Sequence, residues 1–538
     1  MANALFVSYP GEPVNPTTFL PDNGLASLAA TLLREGHAAY VLDYGTVDLF
    51  RDCIPDYVKC DLAELFSRKK VQATTVADNE RILEIDKELV RHRDSVIEMI
   101  GREIVGTIAD RDISFIGFKS WLGDAHPALV RLSEIVKQNY PTLPVLVGGP
   151  QVLSFGDIML EQGSFDFLCY DEGELTVRSF ARHVEGKERI DNVPNIMYRS
   201  GGKVVRNRHE VVANLDELAM PVYDSSIYPA MMDNQKCKMI VIDESRRCMY
   251  SCPFCIESSK VKGKWRAKSA ERIVNEIQYV HDYYGANLIR FGGQMTTGTL
   301  MEDISRKILD ENIDVEFTSF SHIGTMKTAD FELMRRAGLY SLFFGVESGS
   351  QRMLSGALGK KTKVEDIETV LKRASDAGIY VVASIIYPSP GDNDETMQET
   401  VDLLTRAGVK SAPVQFAGVY PGTTWARSYK EYGFDLDPET YARNVIDYKI
   451  KNIFPPQFWS PLPVKIDGKS FFEYIGDTGK MIYALESRGI LSDVTDEQSL
   501  LAKRAGMTPR EFRDESQRIF YTGNANRMQE IVEKVNIQ

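Results

Sequence analysis

The 538-residue sequence has no run of about 18 uninterrupted apolar residues, which is the length an α-helix needs to span a membrane. Its beginning lacks a basic segment followed by a long apolar core, so no secretory signal is expected there. Positive charge is in deficit, since 63 Lys and Arg face 76 Asp and Glu, for a net charge of −13. This balance argues against a general binder of nucleic acid or anionic membranes. These absences predict a cytoplasmic protein with neither nucleic acid nor a membrane as partner.

Cysteine is scarce, with only seven in the chain, which suits a reducing cytoplasm better than a disulfide framework. Three of them, Cys248, Cys252 and Cys255, lie at CxxxCxxC spacing on a loop that follows the apolar run 239–243. That run predicts a strand, so the loop leaves a C-terminal strand end. Thiolates bind soft metals, and three on one tight loop can hold three corners of an iron–sulfur cluster. The fourth iron is then open to another ligand.

A structural zinc site is the first alternative for this loop. Such a site needs four nitrogen or sulfur ligands, which usually come in two pairs. No second CxxC and no HxxxH follows, and the other cysteines are scattered singly, at Cys53, Cys60, Cys169 and Cys237. The pattern therefore favours an iron–sulfur cluster.

The chain is longer than the chains that usually fold around a single hydrophobic core, so two or three domains are expected. In residues 1–205, helical patterns alternate with apolar runs at 4–10, 39–43, 112–118, 144–148 and 165–169. This alternation predicts a doubly wound, Rossmann-like parallel sheet, whose ligands bind beyond the C-terminal strand ends. An insert at about 50–110 has no Gly or Pro from 56 to 100 and predicts one or two solvated helices. A more specific interpretation is that the helices of this insert cover a bound ligand.

A second series of alternating elements occupies residues 239–425, after a linker at 206–238. Strands are predicted at 239–243, 287–291, 314–320, 340–346, 379–387 and 413–419, with helices between them. Six such units do not close an eight-stranded barrel, so an open (β/α)6 partial TIM barrel is expected. Its active site should lie at the C-terminal strand ends. Helical patterns in 426–538 predict a helical C-terminal region that packs against the open side of the barrel.

The cysteine loop resembles the signature of the radical S-adenosylmethionine (SAM) enzymes, in which an aromatic residue commonly precedes the third cysteine. Motifs at later strand ends, Gly-Gly-Gln, Gly-x-Glu-Ser-Gly-Ser and Tyr-Pro-Gly-Thr, resemble the SAM-binding motifs of the same family. Gln294 departs from the Glu that is usual there, because its amide accepts hydrogen bonds but carries no charge. The resemblance implies SAM contacts from Phe254, Gly292, Gly293, Gln294, Glu347, Ser348 and Tyr420.

The first domain resembles the cobalamin-binding domain that precedes many radical SAM cores. The resemblance rests on segments 21–29, 147–150, 172–174 and 195–199. It implies cobalamin contacts from Pro10, Gly11, Trp121, Gly148, Gly149, Gln151, Glu172, Gly173 and Glu174. For any single loop, a tight turn with no ligand is the alternative interpretation. The Asp-x-His-x-x-Gly motif of other cobalamin proteins is absent, so no histidine is expected on cobalt.

The resemblance as a whole indicates a cobalamin-type radical SAM enzyme, with a [4Fe–4S] cluster, SAM and cobalamin as cofactors. It implies that SAM chelates the open iron and that one electron from flavodoxin or ferredoxin yields a 5′-deoxyadenosyl radical. The expected activity is methylation of an unactivated carbon in a small molecule or natural product. Two alternatives stay open: a radical SAM cyclase, rearrangement or group-transfer enzyme, and a cobalamin-binding sensor with a structural cluster. No residue is assigned a catalytic role at this stage.

Overall fold

The computed structural model describes residues 1–69, 75–259, 264–451 and 454–537, so part of the predicted insert, 70–74, lies outside the described residues. Its first sheet has the strand order β2-β1-β3-β4-β5-β6-β7. The first five strands along the chain run parallel, as predicted, and the last two are antiparallel. The strands are β1 Asn3–Ser8, β2 Ala38–Asp43, β3 Phe115–Lys119, β4 Val145–Gly148, β5 Phe167–Cys169, β6 Ile196–Ser200 and β7 Lys203–Arg206.

The antiparallel hairpin of β6 and β7 was not predicted. Its turn is Gly201-Gly202, and both glycines have positive φ, of 56° and 76°. Two such residues are what a tight two-residue hairpin turn requires. The Gly-Gly pair is therefore the feature of the sequence from which this hairpin could have been predicted.

Helices connect and cover the strands of this sheet. From residue 56 the insert forms two helices, within the predicted one or two, and a shorter helix that begins at Val47 precedes them. The chain is extended at Ile54 before Pro55, which separates this shorter helix from the next. The long helix α4 begins with a capping box between Thr75 and Asp78. The helices are α1 Asn23–Arg34, α2 Val47–Cys53, α3 Asp56–Lys69, α4 Val76–Asp110, α5 Ala125–Asn139, α6 Val152–Gln162 and α7 Gly173–Val184.

The second sheet is a six-stranded parallel sheet with the order β8-β11-β12-β13-β14-β15, as expected for a (β/α)6 partial barrel. Its strands and the small antiparallel pair β9–β10 are β8 Met239–Ile242, β9 Ser245–Arg246, β10 Arg266–Ala267, β11 Leu288–Phe291, β12 Glu316–Ser321, β13 Leu339–Glu347, β14 Tyr380–Ile386 and β15 Val414–Gln415. The helices that alternate with them are α8 Ala270–Tyr284, α9 Gly298–Asp310, α10 Phe331–Arg336, α11 Gln351–Ser355, α12 Val364–Asp376 and α13 Asp394–Arg406.

Strand β15 has two residues where a longer strand, 413–419, was predicted. It lies at the edge of the sheet, and on its outer side the chain near residue 491 supplies only isolated hydrogen bonds. Ala412 N–H donates to the Leu491 carbonyl at 2.7 Å, and Val414 N–H donates to the Ser492 carbonyl at 3.2 Å. Without a full partner strand the ladder ends after Gln415.

The C-terminal region is helical, as predicted, but one of its helices packs directly against the barrel strands. Helix α17 contacts β12, β13 and β14, and its first residue, Asp496, is fully buried. The elements are α14 Thr424–Arg427, β16 Phe434–Leu436, α15 Pro438–Ile446, β17 Val464–Ile466, α16 Phe471–Ser487, α17 Asp496–Arg504, α18 Pro509–Thr522 and α19 Ala525–Asn536. No helix among the described residues has the length and apolar content that a bilayer span requires.

Candidate functional site

The C-terminal strand ends of the two sheets meet at one cavity of about 290 Å³, called the first cavity below. The first domain contributes the end of β3 and the loops that follow β4 and β5, and the barrel contributes loops that follow β8 and β11. Eight of the residues predicted from the sequence line it together: Gly148, Gly149, Glu172, Gly173 and Glu174 from the cobalamin set, and Gly292, Gly293 and Gln294 from the SAM set. Parts of the two predicted ligand sites therefore share one space, while the other residues predicted to contact SAM, Phe254, Glu347, Ser348 and Tyr420, lie outside it.

The other residues predicted to contact cobalamin lie outside the first cavity, namely Pro10, Gly11, Trp121 and Gln151. Gly11 has φ +86°, and a Cβ added there would lie 2.5 Å from Asp124 Oδ1, so only glycine fits this turn. The Trp121 indole N–H donates to Ser8 Oγ at 3.2 Å. The Gln151 Oε1 atom is buried without a hydrogen-bond partner among the described residues.

The cysteine loop is partly exposed at each of its three thiols. Burial raises the pKa of Cys248 and of Cys252, while the nearby Lys360 ammonium lowers both. Burial raises the pKa of Cys255 to about 11. Metal binding at such thiols releases their protons.

No three His, Cys, Asp or Glu side chains in the described part of the chain converge as ligands of a single metal ion. A [4Fe–4S] cluster does not require that convergence, because each thiolate binds a different iron. The donor set at Cys248, Cys252 and Cys255 consists of three soft ligands on one accessible loop, with Cys255 N–H donating to the Cys252 carbonyl at 3.1 Å. These residues fit a cluster with one open iron.

The glycine loop after β11 rests on a buried carboxylate that the sequence analysis missed. Gly293 N–H donates to Glu244 Oε2 at 2.8 Å, and the Thr296 hydroxyl donates to Glu244 Oε1 at 2.8 Å. Burial raises the pKa of Glu244, although these hydrogen bonds oppose the increase. A Cβ on Gly293 would lie 2.4 Å from Glu244 Oε1, so close packing requires this glycine, whereas Gln294 is exposed.

Glu347 lies at an irregularity where the register between β13 and β14 shifts, and it has φ +68°. The Lys360 ammonium donates to Glu347 Oε1 at 2.9 Å, and both side chains are buried. Since Lys360 also influences the cluster thiols, this pair lies beside the cysteine loop. Ser348 Oγ accepts the Ser350 N–H at 3.1 Å. No motif pointed to Lys360, because it follows Glu347 by 13 positions and meets it only through folding.

A stacked pair of rings, which no sequence motif indicated, lies at the end of β12. The His322 ring lies over Tyr250 with centroids 3.6 Å apart, and Tyr250 is part of the cysteine loop. His322 Nδ1 accepts the Gly324 N–H at 3.0 Å. Its Nε2 atom is buried without a hydrogen-bond partner among the described residues. His322 therefore holds an unused polar atom next to the predicted cluster.

An aromatic group supports the other side of the cysteine loop. The Phe254 ring lies 5.6 Å from the Trp425 ring, and Trp425 N–H donates to the Pro253 carbonyl at 3.1 Å. The Trp425 indole N–H donates to the Ala357 carbonyl at 2.9 Å, which fixes this fully buried ring. Tyr420, predicted to contact SAM, is half-buried, and burial raises its pKa. These packed rings limit access of water to the loop.

Ion pairs join the predicted cobalamin loop after β5 to the residues just before Cys248. Arg246 Nη1 donates to Glu174 Oε2 at 3.1 Å and lies 3.4 Å from Glu172 Oε2. Burial raises the pKa of Glu174, but the charge and hydrogen bond of Arg246 outweigh this, so its pKa is below the usual value. Two further pairs are Arg266 with Glu172 and Arg247 with Asp171. The two predicted cofactor loops are thus connected directly.

Comparisons with known proteins agree with this geometry. Residues 245–404 match the family model of the radical SAM superfamily. An uncharacterised methyltransferase of Pyrococcus horikoshii is 28% identical over 300 residues, which cover 54% of this chain and 64% of that protein. Cytidylyl-2-hydroxyethylphosphonate methyltransferase of Streptomyces wedmorensis is 23% identical over 473 residues, which cover 79% of this chain and 81% of that protein. The chain thus spans 64% of the length of the first of these relatives.

Solved structures resemble nearly the whole chain. The cobalamin-dependent SAM radical enzyme OxsB, with aqua-cobalamin bound, has a TM-score of 0.62 at 15% identity and covers 97% of this chain and 72% of its own. The radical SAM methyltransferase TsrM from Kitasatospora setae, with cobalamin and a [4Fe–4S] cluster bound, has a TM-score of 0.61 at 14% identity. That match covers 98% of this chain and 99% of TsrM. At these identities the likeness shows the fold.

The fold is of the α/β class, with a Rossmann-like sheet, a partial barrel and a helical C-terminal region. Within the barrel, residues 245–404 match the radical SAM superfamily. The predictions of this family and of this fold class are therefore confirmed. The assignment of individual site residues stays a prediction.

Proposed function

We propose that this protein is a cobalamin-dependent radical SAM methyltransferase that acts on an unactivated carbon of a small-molecule substrate. The observation that carries the proposal is the first cavity, because two loops predicted for cobalamin and the predicted SAM loop after β11 line the same space. The named relatives support it, since two of them are methyltransferases. A sensor with a structural cluster gives no account of the SAM-side loops in that space.

In this proposal, Cys248, Cys252 and Cys255 hold the [4Fe–4S] cluster. Together with SAM the cluster supplies a 5′-deoxyadenosyl radical, and cobalamin supplies a transferable methyl group. The Glu347–Lys360 pair fixes a carboxylate and an ammonium beside the cysteine loop, where both can orient polar groups of SAM. Gly292 and Gly293 let the backbone approach closely. The Phe254–Trp425 packing excludes water from this edge.

Partners and location are part of the same proposal. The single electron that radical chemistry needs comes from an external donor such as flavodoxin or ferredoxin, and the protein acts in the cytoplasm. A radical SAM cyclase, rearrangement or group-transfer enzyme is the alternative, and it is not favoured, because methyltransferases are prominent among the relatives. The products of SAM distinguish the two activities.

The cluster assignment is tested with Cys252→Ala, against Cys60→Ala as the control because Cys60 is an exposed cysteine on α3. After anaerobic reconstitution, the control should hold about four irons per chain and release 5′-deoxyadenosine from SAM. Cys252→Ala should lose most of the iron and all SAM cleavage, while it still binds cobalamin. A Cys252→Ala variant that cleaves SAM like the control contradicts the assignment.

A further inference from the structure

A second cavity of about 710 Å³ lies between the first domain, helix α4 of the insert and the C-terminal region. It shares no lining residue with the first cavity among the described residues. Glu12 and Asp124, which follow β1 and β3, form its wall on the first-domain side, and Tyr448 and Lys449 form part of the opposite wall. The cavity is therefore a separate space at the C-terminal edge of the first sheet, where doubly wound folds bind ligands.

One cation in this cavity has no partner. Arg93, on α4, has no ion pair and no hydrogen bond within the described residues, although it is partly buried. Every other basic side chain that lines the cavity is paired: Lys449 with Asp124 at 2.6 Å, Lys451 with Asp86 at 2.6 Å, Arg443 with Glu161 at 2.6 Å and Arg513 with Glu486 at 2.6 Å. The guanidinium of Arg93 is thus available to an anion.

Other polar atoms of the cavity residues are also unused. The Tyr448 hydroxyl and Ser516 Oγ are buried and have no hydrogen-bond partner among the described residues. The remainder of the wall includes apolar side chains: Phe50, Leu89, Phe454, Phe512 and Phe520. This lining suits a ligand with an apolar body and a charged end.

An aromatic series connects this cavity with the end of the last barrel strand. The ring of Tyr448 packs edge-on against Phe471 with centroids 6.1 Å apart, and Phe471 packs against Tyr474 at 5.3 Å. Tyr474 in turn packs against Phe416 at 6.5 Å, directly after β15. The rings thus form a continuous series from Tyr448, which lines the second cavity, to Phe416 at the end of the last barrel strand.

We propose that the second cavity binds an amphipathic organic anion whose carboxylate or phosphate binds Arg93. The guanidinium of an arginine can donate two parallel hydrogen bonds to a carboxylate or a phosphate. Among the described residues no carboxylate pairs with the guanidinium of Arg93. Anion binding at Arg93 does not depend on the proposed function.

The test titrates the reconstituted protein, without reductant, with phenyl phosphate and with phenylacetate by calorimetry. The wild type should bind at least one of these probes, and Arg93→Gln should bind it at least about tenfold more weakly, as the loss of a charged hydrogen bond implies. Arg93→Lys should recover part of the affinity. The matched control is Arg91→Gln, because Arg91 is exposed on the same helix and pairs with Glu88.

Preference for one probe identifies the head group as phosphate or carboxylate. Equal binding by the wild type and Arg93→Gln overturns the proposal, and so does failure of the wild type to bind either probe. Because no SAM turnover is measured, these results hold whether or not the protein proves to be a methyltransferase.

Discussion

At the scale of the residue, His322 is the clearest group that the family motifs do not explain. His322 Nδ1 accepts a hydrogen bond from the Gly324 N–H, so a neutral His322 ring carries its proton on Nε2. Burial, with a smaller effect of the Lys360 charge, lowers the pKa of His322 to about 3. The ring is therefore neutral at physiological pH, and its Nε2–H is a fixed hydrogen-bond donor beside Tyr250. We expect this donor to orient SAM or substrate at the cluster.

Replacing His322 by Phe should lower kcat/KM for SAM cleavage by about three- to tenfold, the loss of one neutral hydrogen bond. The iron content should not change, because His322 is not a predicted ligand. His322→Gln should restore part of the rate, since its amide also donates. The control is His281→Phe, at a partly exposed position on α8. Equal rates for His322→Phe and the wild type contradict the assigned role.

At the scale of elements, the loop after β5 and the loop after β8 act as one unit. Arg246 is largely buried and joins Glu174 of the first domain to the segment that leads into Cys248. Breaking a buried pair leaves one charge without compensation, which is far more costly than losing a surface pair. The position of the cysteine loop thus depends on the first domain.

Arg246→Met should lower the free energy of unfolding by about 3–5 kcal/mol, because Glu174 is left buried and charged. It should also reduce the iron that the protein retains. Arg206→Met breaks an exposed pair with Asp157 and should cost at most about 1 kcal/mol. Thermal unfolding and iron analysis measure both effects. If the two variants unfold at the same temperature, the ion pair between Arg246 and Glu174 contributes no more to stability than the exposed pair does.

The elements also show what the sequence could predict. Strand–helix alternation and glycine motifs are local patterns, so they predicted the parallel strands, the partial barrel and the loops around the first cavity. Contacts such as Lys360 with Glu347 and Gly293 with Glu244 arise from folding and leave no local pattern. The packing of α17 against the barrel strands could not be predicted, because its first turn carries acidic residues, which are usually exposed but are buried here.

At the scale of the whole molecule, α17 ties the C-terminal region to the barrel. Arg290 on β11 lies 3.2 Å from Asp496 and 3.0 Å from Glu497, both of them buried. Burial and the neighbouring Asp496 carboxylate raise the pKa of Glu497 to about 8, although Arg290 opposes this. The folded protein therefore holds a proton at neutral pH that the unfolded chain releases.

The stability of the molecule should consequently fall as pH rises from about 4.5 to about 8, since the unfolded chain binds fewer protons over this range. Glu497→Gln keeps a neutral group at the position and should remove much of this dependence. Thermal midpoints of both proteins at several pH values in that range provide the test. Glu332→Gln, at an exposed position on α10, serves as the control. Parallel pH curves for the wild type and Glu497→Gln contradict this account of the pair.

The fate of SAM tests the central claim most directly. The protein is reconstituted without oxygen and incubated with SAM, a reductant and cobalamin, and the products are separated by chromatography with mass detection. The account predicts 5′-deoxyadenosine together with S-adenosylhomocysteine, because one SAM yields the radical and another methylates cobalamin. 5′-Deoxyadenosine without S-adenosylhomocysteine contradicts methyl transfer. Methylthioadenosine as the main product contradicts the proposed cleavage of SAM itself.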